Sequence, residues 1–171
     1  MLRKIISIIM ISISIIILFY NYEDEKEYKE VIDNIIEDKN QSIYDGYIYI
    51  PKLNYKNVIS INNVLDENKI YMLSDKSIIN NDYGNIILAG HNNKYVFSNI
   101  YNLYIGDEVI ISDFENKYSY IIYEIKYVNV KDKSVLDNVY DKRILTLITC
   151  TNNTQTRFIV KGKYNHTISH N

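Results

Sequence analysis

The feature that most constrains the fold of this chain is a change in hydrophobic period near residue 45. From there on, apolar and aromatic residues alternate with polar ones in short runs that Asn, Asp and Gly separate. The run DGYIYIPKLN, residues 45–54, contains the only proline of the chain, Pro51, which is confined to a strand edge or end because it has no N–H. A period of two places successive side chains on opposite faces and indicates β-strands.

Further short runs of the same kind predict strands at 57–62, 85–91, 107–113, 117–130, 143–150 and 156–165. Residues 94–107 predict a short helix that ends at Gly106, because their apolar side chains share one helical face: Phe97, Ile100, Tyr101 and Tyr104. Residues 132–138 predict a single helical turn. About seven or eight short strands with few helices indicate a mainly β domain, closed as a barrel or stacked as a sandwich.

The amino terminus carries an apolar run over residues 5–20 that only Ser7, Ser12 and Ser14 interrupt. A helix from there through Tyr22 would be about 27 Å long, close to the hydrocarbon thickness of a bilayer. Arg3 and Lys4 precede the run and EDEKEYKE, residues 23–30, follows it. This asymmetry predicts a single-pass anchor over residues 1–22 in the cell membrane, with a cytoplasmic amino end and an extracellular domain. A cleaved signal peptide is the alternative, but its small-residue A-x-A pattern is missing.

Residues 23–43 predict an amphipathic linker helix, because apolar residues recur at helical spacing: Tyr28, Val31, Ile32, Ile35 and Ile36. We expect its apolar stripe to pack on the following domain, residues 44–171. A regulatory role, such as covering a cleft, is the alternative.

Charge and cysteine content exclude several function classes. The net charge of −2 and the isoelectric point near 5.9 give no reason to expect a nucleic-acid partner. A single cysteine excludes an internal disulfide and a multi-cysteine zinc site. No glycine-rich phosphate loop, HExxH or CxxC motif is present, so we predict no cofactor. Asp132, Asp137 and Asp141 are too loosely spaced to predict a metal site.

The single cysteine, Cys150, ends a predicted strand and is the candidate nucleophile. Catalysis by cysteine needs a thiolate, a proton carrier and a donor for the developing oxyanion. His91 also ends a strand, whereas His166 and His170 lie in the polar carboxyl tail, so His91 is the natural partner. A hairpin between 143–150 and 156–165 would set Arg157, rather than Arg143, opposite the thiol as a two-hydrogen-bond donor.

Each candidate has a simpler interpretation. A lone cysteine after β-branched residues is usually a small buried apolar side chain. A strand-end histidine is often merely exposed, and an arginine after a loop is usually a surface charge. These alternatives remain open on spacing alone.

Longer motifs connect the three residues. Together, four features of the chain resemble the sortase family. They are LAGH at 88–91, the spaced residues Phe97, Ile100, Leu103, Gly106 and Asp107, the motif TLITC at 146–150, and Arg157. The resemblance covers residues 44–163 and keeps the order His, Cys, Arg. This order differs from papain-like hydrolases, in which the cysteine precedes the histidine.

The resemblance implies an eight-stranded barrel and a cysteine transpeptidase of the Gram-positive cell surface. Cys150 would attack the Thr–Gly carbonyl of an LPXTG-like sorting signal, Arg157 would stabilise the oxyanion and His91 would protonate the leaving amine. An amine of a peptidoglycan precursor or stem peptide would then resolve the thioester. By the same resemblance, Ala89, Thr149 and Val128 would contact the substrate.

The resemblance leaves the subclass and the outcome of the reaction open. A single amino-terminal anchor, a small barrel and the lack of an upstream aromatic–aspartate lid favour class D or class A, with class D preferred. Only six residues, 151–156, separate Cys150 from Arg157. Two rival functions are a membrane-anchored cysteine peptidase that hydrolyses the thioester and a non-catalytic surface module that binds peptides.

Overall fold

The computed structural model describes residues 2–37, 44–60, 67–74, 79, 81–153 and 155–168. These residues form one α-helix, α1 (Leu2–Glu37), and the strands β1 (Tyr44–Ile50), β2 (Tyr55–Ser60), β3 (Ile70–Met72), β4 (Gly84–Gly90), β5 (Glu108–Ser112), β6 (Lys117–Asn129), β7 (Arg143–Cys150) and β8 (Thr156–Ile168). Short 3-10 turns cover Pro51–Leu53, Ser98–Asn102 and Ser134–Leu136. The predicted strand end at 61–62, part of the predicted linker at 38–43, and His170 lie outside the described residues.

The strands close into a barrel in the order β1-β2-β3-β4-β7-β8-β6-β5. Two of these neighbouring pairs are parallel, β2 with β3 and β4 with β7. The remaining pairs are antiparallel. The mainly β class that the residue pattern predicted is confirmed, as is the closed eight-stranded barrel that the family resemblance implied.

The barrel interior is filled by inward-facing aliphatic and aromatic side chains, as the period of two requires. Its largest fully buried members are Tyr120, Phe97, Ile48, Ile50, Ile59, Ile70, Ile86, Leu88, Ile100, Ile111, Ile122 and Leu145. A smaller cluster on another face joins β4, β7 and β8 to the Ser134–Leu136 turn through Ile87, Val135, Ile148 and Ile159. Strand β7 is therefore buried along its length and only its last residue, Cys150, is half-buried.

Helix α1 is continuous, so the predicted anchor and the predicted amphipathic helix form one element. Residues 4–23 are exposed, and the helix is long and apolar enough to cross a membrane, with a mean hydropathy of 2.2 over its most apolar window. Further along, Ile32 is buried, and the ring of Tyr28 packs on Tyr95 at a centroid distance of 4.6 Å. Val31, which the sequence placed on the same stripe, is exposed.

The helix expected over 94–107 is shorter than predicted and does not end at Gly106. A 3-10 turn covers Ser98–Asn102, and Leu103 caps it through an N–H bond to the Ile100 carbonyl. Gly106 instead has a φ of +95° in the turn before β5. The side-chain carbonyl of Asn93 accepts hydrogen bonds from the backbone N–H groups of Tyr95 and Val96. This local bonding competes with the backbone hydrogen bonds of a helix.

Candidate active site

The carboxyl ends of β4 and β7 meet at one edge of the barrel because these strands run parallel and in register. Gly90 pairs with Thr149 in this ladder. The Thr149 hydroxyl also donates to the Gly90 carbonyl at 2.8 Å. The residues that follow the pair, His91 and Cys150, therefore lie at the same edge.

The β7–β8 hairpin brings Arg157 to this edge. Cys150 and Arg157 are direct partners in the antiparallel ladder, as the sequence predicted from the spacing of the two strands. The loop between them is held by a hydrogen bond from the N–H of Thr151 to the carbonyl of Thr156 at 3.3 Å. The Thr151 hydroxyl donates to the Asn153 carbonyl at 2.7 Å and stabilises the tight return.

The three predicted catalytic residues line one cleft of about 160 Å³. Cys150 is half-buried and its thiol is not in a disulfide, His91 is exposed, and Arg157 is half-buried. The cleft is lined by Tyr71, Ala89, Gly90, His91, Ile148, Thr149, Cys150 and Arg157. A thiol, an imidazole and a guanidinium thus share one opening, which is the set of groups that acyl transfer by cysteine requires.

Gly90 lets the segment after β4 fold back tightly behind His91. A Cβ atom at Gly90 would lie 2.5 Å from Cγ1 of Val96 and 2.8 Å from Cδ2 of Phe97. The N–H of Phe97 donates to the His91 carbonyl at 3.0 Å. The position of His91 therefore depends on a glycine at the preceding residue.

Tyr101 holds the backbone of Cys150 through a hydrogen bond to its carbonyl group. Its hydroxyl donates to the Cys150 carbonyl at 2.9 Å, and its ring packs on Phe158 at a centroid distance of 4.5 Å. Burial, together with Tyr127 and Cys150, raises the pKa of Tyr101 above its usual value. The hydroxyl therefore stays protonated and available as a donor at neutral pH. Sequence reasoning placed Tyr101 only on an apolar helical face and missed this role.

The predicted substrate-contacting residues are not all in the cleft. Ala89 and Thr149 line it, but Val128 does not. Val128 lies on β6 opposite Arg157 and packs against the cluster that contains Ile148. Tyr71, on β3, also lines the cleft. Sequence reasoning assigned it no role, because β3 is too short to show a clear period.

The other residues that the sequence weighed lie away from the cleft. Arg143 is buried at the opposite end of β7, where Nε donates to the Tyr120 hydroxyl at 3.1 Å. His166 lies on β8 opposite Ser119. Asp132 accepts a hydrogen bond from the N–H of Ser134 and caps a turn. Within the described ranges, no group of three or more His, Cys, Asp and Glu side chains is placed to hold a metal ion.

Comparison with known proteins identifies the family. The Sortase domain model matches residues 48–165. Sortase A of Listeria monocytogenes is 39% identical over 89 residues, which are 49% of this chain but only 40% of that protein.

Solved structures extend the similarity over most of the chain. A Clostridium perfringens sortase D5 transpeptidase is 30% identical with a TM-score of 0.62, and the match covers 82% of this chain and 95% of that chain. Streptomyces coelicolor sortase E1, solved with a tripeptide in its active site, is 25% identical with a TM-score of 0.63, covering 74% of this chain and 90% of that chain. The chain described here belongs to the sortase family.

Proposed function

We propose that this protein is a membrane-anchored cysteine transpeptidase that cleaves an LPXTG-like sorting signal between Thr and Gly and transfers the acyl part to an amine of the cell wall. The observation that carries the proposal is the placement of His91, Cys150 and Arg157 around one cleft at the shared edge of β4, β7 and β8. Membership of the sortase family supports the same reaction class.

In the proposed first step, the Cys150 thiolate attacks the Thr–Gly carbonyl. The Arg157 guanidinium stabilises the oxyanion of the tetrahedral intermediate. His91 gives its proton to the departing glycine amine, which leaves Cys150 joined to the acyl part as a thioester. In the second step His91 removes a proton from the acceptor amine as that amine attacks the thioester, and the thiolate departs.

The sorting signal would occupy the cleft beside Cys150. Ala89 and Thr149 line this cleft, and we assign them to contact with the residues before the scissile bond. Val128 does not line this cleft and would affect the signal only through Arg157, which lies beside it in the β6–β8 ladder. The tripeptide in the active site of the Streptomyces enzyme supports peptide binding in this region.

We propose that α1 crosses the cell membrane with its amino end in the cytoplasm, so that the barrel is extracellular. The apolar, exposed first half of the helix and its basic amino-terminal flank support this orientation. The 30% identity to the sortase D5 transpeptidase, which the chain spans nearly completely, favours class D.

The test is ligation by the full chain in detergent micelles, supplied with an LPXTG-like peptide and an amine acceptor. We expect a ligated product with the unmodified protein, none with Cys150→Ala, and about 10²- to 10³-fold slower turnover with Arg157→Ala, as for loss of an oxyanion donor. His166→Ala serves as the control for His91→Ala. His166 lies on β8 opposite Ser119, far from Arg157, so its replacement should leave the ligation rate unchanged.

Two results would favour one of the two rival functions instead. Cleavage without ligation at saturating amine would indicate the hydrolytic peptidase. Peptide binding without cleavage would indicate the non-catalytic module.

A further inference from the structure

Two consecutive apolar side chains are exposed in the turn that leads into β5. Tyr104 is 66% exposed and Ile105 is 69% exposed, whereas Leu103, just before them, is buried. The N–H of Gly106, just after them, donates to the Ile122 carbonyl at 2.8 Å, so the turn is held against β6. The mechanism proposed above uses neither side chain. An ordered turn with two adjacent apolar side chains in solvent is typical of a contact surface.

Lys52 covers one side of this pair. Its Nζ lies 4.0 Å from the centre of the Tyr104 ring and donates to Oδ2 of Asp107 at 2.7 Å. A lysine, a tyrosine and an aliphatic side chain together are typical of the boundary between a membrane and water. Tyrosine rings lie there at the level of the lipid headgroups, and the lysine stem packs on apolar groups while its ammonium stays in the polar layer.

This surface adjoins the place where α1 meets the barrel. A narrow cleft of about 80 Å³ lies between them, and its walls include Glu25 and Tyr28 of α1, Leu53 of the turn between β1 and β2, and Asn99 of the loop after β4. Lys52 precedes Leu53 in the same turn. The contact of Lys52 with Tyr104 is therefore close to the point at which α1 reaches the barrel.

Helix α1 approaches the barrel from the side of the proposed membrane crossing. Tyr22, at the end of the apolar stretch, is 64% exposed, and the next contact along the helix joins Asp24 to Lys94. Only further along does Asp33 pair with Lys56. The bilayer should therefore lie on the Lys94 side of the barrel, beyond the first turn of the helix that contacts it.

The same end of the barrel carries the catalytic cleft. Strands β4 and β7 are parallel and end there, at Gly90 and Cys150. Strands β2 and β5 run in the opposite direction around the closed barrel, so their first residues, Tyr55 and Glu108, lie at this end as well. The turn with Lys52 and the turn with Tyr104 precede these two strands. Both turns are thus on the end of the barrel that α1 joins to the bilayer.

We propose that Lys52, Tyr104 and Ile105 form a second contact of the barrel with the lipid bilayer, an inference that rests on the membrane crossing proposed for α1. Tyr104 and Ile105 enter the boundary between headgroups and acyl chains, and Lys52 stays at headgroup level. With α1 and this turn both held by lipid, the barrel cannot rotate freely about the helix. The end with His91 and Cys150 is then fixed towards the membrane surface.

The experiment uses tryptophan fluorescence of the full chain in phosphatidylcholine nanodiscs, with and without bromine on the lipid acyl chains. The chain has no tryptophan, so one introduced residue reports its own surroundings. The reporters are Ile105→Trp and Tyr104→Trp, both at exposed positions. Tyr83→Trp is the matched control, because Tyr83 is 54% exposed and precedes β4 at the opposite end of the barrel. Ile16→Trp, in the apolar stretch of α1, reports the crossing itself.

We expect bromine to lower the fluorescence of Ile105→Trp and Tyr104→Trp about twofold, because interfacial side chains reach about 5–10 Å into the boundary of headgroups and acyl chains. Ile16→Trp should lose at least as much fluorescence, and Tyr83→Trp should keep its intensity. Each of these readouts is independent of catalysis, so failure of the proposed reaction would not affect them.

Three results would overturn the inference. Loss of fluorescence in Ile16→Trp without loss in Ile105→Trp and Tyr104→Trp would leave the crossing intact and exclude the second contact. Equal loss in Tyr83→Trp and Ile105→Trp would show that a tryptophan meets lipid at either end of the barrel. No loss in Ile16→Trp would refute the crossing and, with it, the contact.

Discussion

At Gly90, the missing Cβ atom allows the segment that carries His91 to pack on the end of β4. The space that a methyl group would need is already occupied by Val96 and Phe97. Both side chains are buried in the barrel core and cannot move aside cheaply. The position of the imidazole is thus tied to the packing of Val96 and Phe97, which do not line the cleft.

Gly90→Ala is therefore expected to lower kcat/KM at least tenfold, because even about 1 Å of displacement of a catalytic group can cost up to 100-fold. The rate of peptide cleavage and the thermal midpoint should be measured together. Gly162→Ala is the matched control: its Cβ would lie 3.0 Å from Cβ of Tyr120, inside the barrel and away from the cleft. A control that loses as much activity as Gly90→Ala at equal folded fraction would contradict this explanation.

Asp107 anchors the turn that leads into β5. Its Oδ2 accepts hydrogen bonds from Nζ of Lys52 and from the N–H of Tyr104, both at 2.7 Å. Partial burial favours the neutral carboxyl group, but these hydrogen bonds outweigh burial and hold the pKa of Asp107 below its usual value. A lowered pKa in the folded state means that ionisation of Asp107 stabilises the fold.

The contribution of Asp107 should be complete above about pH 4, its ordinary range, and should disappear as the pH falls through the lower pKa of the folded state. Urea unfolding from pH 6 to pH 2.5 should show a free energy of unfolding that falls less steeply with acid in Asp107→Asn than in the unmodified protein. Glu115→Gln, at an exposed turn position, serves as the control for the removal of one carboxylate. Parallel curves for Asp107→Asn and the unmodified protein would show that Asp107 contributes nothing.

At this scale the sequence predicted part of the site. Cys150 and Arg157 follow from the spacing of two adjacent strands, because a short antiparallel hairpin has few possible registers. Tyr101 could not be predicted, since its hydrogen bond to the Cys150 carbonyl joins residues 49 positions apart. Whether His91, Cys150 and Arg157 carry out the chemistry stays a prediction until variants are measured.

Among the elements, local pattern predicted the strands but not their arrangement around the barrel. The β7–β8 hairpin is consecutive in sequence, whereas the parallel pairing of β4 with β7 brings together strands that more than 50 residues separate. That pairing places His91 beside Cys150, whereas the residue pattern named His91 only by eliminating the two histidines of the carboxyl tail. The three-residue strand β3 escaped prediction because two or three residues cannot establish a period.

Helix α1 contacts the segment that follows His91. The Asp24 carboxylate accepts hydrogen bonds from Lys94 and from the Tyr95 hydroxyl, and Tyr28 packs on the Tyr95 ring. Further along α1, after Tyr28, Asp33 pairs with Lys56 of β2 at 2.8 Å. The contacts of Asp24 and Tyr28 thus tie the helix to the segment beside the candidate site, whereas that of Asp33 lies further from it.

Asp24→Asn should loosen the segment at 92–97, because it removes the charge that Lys94 pairs with. The measurement is hydrogen–deuterium exchange of peptides covering 92–97, where we expect faster exchange. Asp33→Asn is the matched control, since it breaks a similar surface ion pair on β2. Equal acceleration at 92–97 in both variants would indicate that the helix is loosened as a whole rather than at this contact.

For the whole molecule, the membrane crossing proposed for α1 predicts a barrel that lies close to the membrane, because the helix is continuous. A helix of 36 residues is about 54 Å long, which exceeds the hydrocarbon thickness of about 30 Å. The exposed stretch ends at residue 23, and Asp24 already contacts Lys94. The segment after His91 should therefore face the membrane surface, with Lys56 about 13 Å further along the helix axis.

In lipid nanodiscs, a paramagnetic label on the lipid headgroups should broaden the backbone amide signal of Lys94 more than that of Lys56. The gradient follows from the order of the two contacts along α1, because Asp24 precedes Asp33 on the path out of the bilayer. A nanodisc without the label provides the reference. Equal broadening, or stronger broadening at Lys56, would contradict this orientation.

Formation of a thioester on Cys150 is tested most directly by the intact mass of the full chain after incubation with an LPXTG-like peptide and no added amine, followed by peptide mapping. We expect a mass increase equal to the acyl part ending in threonine, located on Cys150 and released by hydroxylamine. Cys150→Ala should show no adduct, and His166→Ala should behave as the unmodified protein. A cleaved peptide without an adduct on Cys150, or an adduct on another residue, would contradict acyl transfer through Cys150.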